Sequence, residues 1–127
     1  MPALAARPAP EAIAAMQSIN VKAVGVGLMG AMFGTAILSL ATLVVGIADS
    51  GEDYAVYLIV GALIYLLGSI GVTMAFNVPR NNELALQDVD SPAAAEVWQQ
   101  YLVGWTAWNH VRTVATLAAA VVLLLGL

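Results

Sequence analysis

The sequence contains no cysteine and a single histidine, His110. Without thiols there is no disulfide, no thiolate nucleophile and no zinc-thiolate site, and the redox compartment is left open. One imidazole among scattered carboxylates does not supply the three or four converging ligands of a metal centre. No metal is expected. Basic residues are equally scarce, four Lys and Arg against eight Asp and Glu, for a formal net charge of −4. They form no basic stripe, so nucleic acid is not an expected partner. Only 9% of residues are charged and 61% are hydrophobic, whereas soluble chains carry about a quarter charged. The bilayer is the natural solvent. The first residues do not resemble a cleavable signal either, because Arg7 is followed by Pro8, Pro10, Glu11 and Gln17 rather than by an apolar run. Targeting falls to the hydrophobic segments themselves, in one domain of 127 residues without internal repeats.

Those segments are what the chain does have. Residues 1–20 carry three prolines in the first ten and then Ala12, Met16 and Ile19 at helical spacing, which reads as a short interfacial helix starting near Pro10. Residues 23–48 contain no charge, and as a helix they extend about 39 Å, enough for a hydrocarbon core of about 30 Å. Gly30-x-x-x-Gly34, with Gly27 and Ala31 in the same spacing, predicts close helix packing in this first span. The acidic turn Asp49-Ser50-Gly51-Glu52-Asp53 then implies an antiparallel neighbour. Residues 54–76 make that second span, with Tyr54 and Tyr57 at an interfacial belt and Gly61, Gly68 and Gly71 as packing sites. Asn77-Val78-Pro79 is expected to end it, since the residue before proline is pushed out of helical geometry.

Residues 77–107 read as a polar segment leading into a helix extension, with Ser91 as N-cap and Pro92 at the first helical position. The last charge-free run, 113–127, is only about 22 Å long, so the third span must begin near residue 108 and take Asn109, His110 and Arg112 into the membrane edge. The expected fold is therefore all-α, a transmembrane bundle of three spans. Arg7, Lys22, Arg80 and Arg112 all fall at one end of such a bundle, and the positive-inside rule makes that end, with the N-terminus and residues 77–107, cytoplasmic in a multi-pass cell-membrane protein.

Two polar clusters stand out against this background, Asn77-Val78-Pro79-Arg80-Asn81-Asn82 and the stretch from Trp105 to Thr113. Counting inward from the span ends places Asn77 and Asn109 in one layer, so the clusters are expected to meet. Polar groups at the edge of hydrocarbon are costly without partners and usually functional. On a helical wheel Trp98, Tyr101, Leu102, Trp105, Trp108, Asn109, Arg112 and Thr116 share one face within about 60°, while His110 and Thr113 lie to the side.

Taken together, the Met1-Pro2-Ala3-Leu4 start, the Asn77-Val78-Pro79-x-Asn81-Asn82 motif and the Trp98-x-x-Tyr101-x-x-x-Trp105-x-x-x-Asn109-His110-x-Arg112-Thr113 motif resemble the anthrone oxygenase family of small integral membrane proteins. The resemblance covers the whole chain. It implies oxidation of anthrones or similar lipophilic phenols with O2, without metal or flavin, so no cofactor is expected. Relatives usually carry a further apolar helix ahead of the Met-Pro-Ala-Leu segment, for four spans; the resemblance thus implies a misplaced start or a bundle that has lost one wall. Arg80 stands where the family pattern tends to have an apolar residue.

An anthrone is a carbon acid whose anion reacts with O2 directly, so the chemistry requires a base, donors for an oxyanion and a flat apolar slot. His110 is the base candidate; Arg112 and the amides of Asn77, Asn81 and Asn109 are candidate oxyanion donors, Asn82 and Thr113 offer further polar contacts to substrate, and Trp98, Tyr101, Trp105 and Trp108 offer ring stacking. The competing reading is a non-enzymatic membrane protein whose polar layer locks helices together or binds a lipid or quinone, with the tryptophans as interfacial anchors. Glycine-rich faces on three spans further suggest a homo-oligomer.

Overall fold

Prolines mark where the first helices begin. In the structure, a computed structural model that describes residues 1–127, Pro2 and Pro10 fall in the first turns of α1 (Pro2–Ala5) and α2 (Ala9–Ala23), where a missing N–H removes no hydrogen bond. Val24 closes α2, and Gly25 in extended conformation starts α3 (Val26–Ala48). After the acidic turn come α4 (Ala55–Tyr65), a π-helical stretch (Leu66–Gly71 and Thr73–Asn77) and α5 (Val78–Ala85), which together form one continuous helix from Ala55 to Ala85. A turn over residues 86–91 leads to α6 (Pro92–Leu125), whose N-cap Ser91 accepts a hydrogen bond from the Ala94 N–H at 3.2 Å. The chain is all-α, and Val26–Ala48, Ala55–Ala85 and Pro92–Leu125 are long and apolar enough to cross a membrane.

The second helix does not stop at Asn77-Val78-Pro79 as the proline rule suggested. Val78 keeps helical angles (φ −61°, ψ −47°) and its N–H donates to the Thr73 carbonyl, five residues back. Pairing one residue further along widens the turns just before Pro79, where an ordinary helix would require the N–H that proline lacks and would bring its ring against the carbonyl four residues back. The segment expected to be irregular from Arg80 onward is therefore helical to Ala85.

The second span is the centre of the bundle, packed against α3 on one side and α6 on the other. Its glycines allow this. A Cβ at Gly61 would fall 2.6 Å from Leu123, and one at Gly68 would fall 2.5 Å from the Cβ of Ala115, both on α6. By contrast Gly27, Gly30 and Gly34 have nothing within 4 Å of where a Cβ would sit. The small-residue spacing in α3 thus packs against nothing in this chain, because α3 meets the second span through its other end, at Gly46.

Away from the apolar spans, α2 folds back over the far end of the bundle. Ala12, Ile13 and Met16 of α2 join Leu84 of α5 and Ala94, Trp98 and Tyr101 of α6 in the main buried cluster. Gln17 fixes this lid by donating through Nε2 to the carbonyls of Leu84 (2.9 Å) and Gln87 (3.1 Å), at and just beyond the end of α5.

Replacing Gly68 with Val should destabilise the bundle by about 1–3 kcal/mol, the usual cost of overpacking, whereas Gly30→Ala should stay within about 0.5 kcal/mol. Thermal unfolding in detergent, followed by tryptophan fluorescence, separates the two; equal losses would show that the α3 glycine face is packed after all.

Candidate functional site

Ser69, Thr73 and Asn77 recur every fourth residue along the π-helical part of the second span, and all three are buried. They form a polar seam against α6. Thr73 Oγ1 donates to the Ser69 carbonyl at 2.7 Å and accepts from Arg112 Nη1 at 3.2 Å. About one turn further along, Asn77 Nδ2 donates to the Trp105 carbonyl at 3.3 Å. Between these layers Phe76 and Trp108 stack with centroids 3.6 Å apart and planes 5° from parallel.

The seam continues beyond the spans into the lid. The Tyr101 hydroxyl donates to Asn81 Oδ1 at 2.8 Å. Three buried polar atoms nearby have no partner: Asn20 Nδ2, Asn77 Oδ1 and Trp105 Nε1. Such atoms cost about 1–3 kcal/mol each when left without a partner.

Two cavities flank this layer. The larger, about 750 Å³, lies between the C-terminal half of α2 and α5; Gln17, Ser18, Asn20, Asn81 and Asn82 supply its polar wall and Ala14, Val21, Val24, Val78 and Ala85 its apolar one. Its size is that of an ordinary small-molecule site. The smaller, about 300 Å³, is lined by Pro79, Arg80, Glu83, Val97, Gln100 and Tyr101. Arg80 lies over Gly104, with Nη1 on the Phe76 carbonyl at 2.8 Å, so this cation is partly committed to holding the helix.

The expected site residues separate into three groups. Asn77, Asn81, Tyr101 and Trp105 are brought together, and Asn82 joins Asn81 on the wall of the larger cavity. Arg112 belongs to the seam but sits deeper, at Thr73; Asn109 is half-buried on the same helix. His110 and Thr113 are exposed, on the outward side of α6. Trp98 is 1% exposed within the core, and Trp98, Tyr101 and Trp105 stack on one another at 5.6 and 6.0 Å rather than offering free ring faces. Asn20, Ser69 and Thr73 were not singled out from the sequence. Asn20 was detectable, since it continues the Ile13–Met16 spacing of α2 onto a polar residue, and Ser69, Thr73 and Asn77 show a repeat of four.

Residues 21–122 match the family model described as anthrone oxygenase. The chain belongs to the anthrone oxygenase family. No curated protein and no solved structure is matched by it. The anthrone oxygenase match takes in both polar clusters and all three long helices. It leaves out α1 and most of α2, including Ile13 and Met16 of the lid core.

Because Thr73 is the partner that holds Arg112, Thr73→Val and Arg112→Met should be coupled. A double-mutant cycle on unfolding in mixed micelles should give about 1–2 kcal/mol, in the range of hydrogen bonds to charged groups; additive losses would show that the contact contributes nothing.

Proposed function

We propose that this member of the anthrone oxygenase family binds an enolisable polycyclic phenol in the cavity between α2 and α5 and promotes its oxidation by O2. The observation that supports this most directly is the amide-bearing wall of the cavity, where Asn20 keeps an unpartnered Nδ2 and Asn81 is fixed by the Tyr101 hydroxyl, facing apolar side chains of Val21, Val24 and Val78. Amide N–H groups held ready in a low-dielectric site stabilise a developing enolate oxygen more than they stabilise the ketone. No carboxylate or imidazole lines the cavity, so the ring-methylene proton leaves to water at the mouth and the wall acts by lowering the energy of the anion. The anion then adds O2 at carbon as a hydroperoxide, taking up one proton. Loss of water with the second C–H proton gives the carbonyl. One oxygen atom stays in the product, the other leaves as water, and O2 is the sole oxidant.

In this reading Arg112 is a positioning residue that locks α6 to the second span, and His110, on the outside, takes no part. The aromatic residues build the wall instead of stacking on substrate. The cytoplasmic side of the cell membrane is the proposed location of the amide layer, supported by the gathering of Arg7, Lys22, Arg80 and Arg112 at its end of the bundle.

Purified protein in micelles should accelerate O2 uptake and quinone formation from anthrone. Asn20→Leu should lower kcat/KM by about a hundredfold, the lower end of the range for loss of an oxyanion donor, while His110→Ala stays within about twofold. Wild-type turnover in Asn20→Leu would remove the site assignment; binding of anthrone without turnover would leave a binding protein in its place. The orientation is checked separately. A C-terminal fluorescent fusion that matures only in the cytoplasm should stay dark, and a bright one would reverse the topology.

A further inference from the structure

Lys22 also lines the larger cavity, and no acidic residue does. Its ordinary roles are plain: it sits in the last turn of α2, where a cation complements the helix dipole, and at the membrane boundary, where lysines anchor. Neither role accounts for the company it keeps. The same cavity carries amides on Asn20, Asn81 and Asn82, a hydroxyl on Ser18 and apolar side chains on Val21, Val24 and Val78. The only ion pair in the molecule is Arg7–Glu11, so Lys22 has no carboxylate of its own.

We infer that the cavity selects a polycyclic phenol bearing an ionised carboxyl group, whose carboxylate is held by Lys22 while its keto oxygen faces the amide wall. This rests on the proposed substrate site and names the class of molecule that fills it. A ligand matched to these walls is apolar along its body and polar at two separated places. A phospholipid carries its phosphate and ester acceptors together at one end of flexible tails; a flat aromatic acid carries its two acceptors on one rigid body. A doubly polar, rigid ligand also loses little conformational entropy on binding.

Binding is measured rather than turnover, so that failure of the oxidation chemistry does not decide the result. Anthraquinone-2-carboxylate and anthraquinone are titrated into the protein in neutral-detergent micelles, against empty micelles, by quenching of tryptophan fluorescence. The carboxylate should bind about three- to fivefold tighter, the strength of a solvent-accessible ion pair. The preference should weaken as salt is raised, vanish in Lys22→Met and persist in Lys22→Arg. Equal binding of the two probes by wild type, or a salt-insensitive preference that survives Lys22→Met, overturns the inference. Loss of the preference when phosphatidylglycerol is added would assign Lys22 to lipid headgroups and overturn it as well. If neither probe binds, the cavity is not the substrate site and the reading beneath it fails too.

Discussion

A bilayer offers no water to a buried polar group, so each one inside the spans must find its partner in the protein. That constraint organises this molecule. Ser69, Thr73 and Asn77 sit on the face of the second span that meets α6, and Arg112 and the Trp105 carbonyl meet them there. Association of apolar helices in lipid gains little from hydrophobicity and depends on close packing and interhelical hydrogen bonds. Both operate at this one interface. Gly61 and Gly68 let α6 approach the second span closely enough for side chains as short as Thr73 and Asn77 to reach across.

The π-helical stretch is the local adjustment that makes the seam possible. A strictly α-helical second span would reach Pro79 with an unpaired carbonyl and a ring clash, and would end at or near Val78. Shifting the pairing to the fifth residue carries the helix past proline, so that Asn77 and Asn81 project from one continuous element. Wide turns of this kind occur mostly as short insertions and are frequent at functional sites. Here the stretch covers the polar residues themselves.

Much of this was readable from the sequence, for physical reasons that also explain where reading fails. Length and apolarity alone establish three membrane-length helices, because a bilayer tolerates few alternatives. Ser91-Pro92 announces the start of α6 through local chemistry, and the wheel already set His110 apart from the tryptophan face. The end of the second span was misread because the proline rule is local, whereas the pairing that overrides it is stabilised by contacts with α6. Asn20 was missed for the opposite reason. The spacing of α2 puts it on the Ile13–Met16 face, but its surroundings depend on α2 folding back onto α5 and α6 through Ile13, Met16, Leu84 and Trp98, a long-range arrangement. The glycines of α3 show the limit of motif reading, since their spacing matches a packing motif and no helix of this chain answers it.

The amide layer is the one place where the constraint is not met within the chain. Asn20 Nδ2, Asn77 Oδ1 and Trp105 Nε1 are two donors and an acceptor, buried and unmatched, beside a seam that satisfies its other members. For Asn20 and Trp105 a packing role alone does not call for polar atoms, since leucine at 20 and phenylalanine at 105 would fill similar space without the desolvation penalty; Asn77 also donates to the Trp105 carbonyl. The orphaned atoms require an occupant that both gives and takes hydrogen bonds. Water meets that demand, and so does an enol, whose hydroxyl donates to an amide oxygen while its oxygen accepts from an N–H. Of the three residues only Asn20 lines the larger cavity, beside Val21, Val24 and Val78. Those side chains give an aromatic ligand a surface on which to leave water behind, while Gln17, Ser18 and the other amides of the same lining can hold water as well.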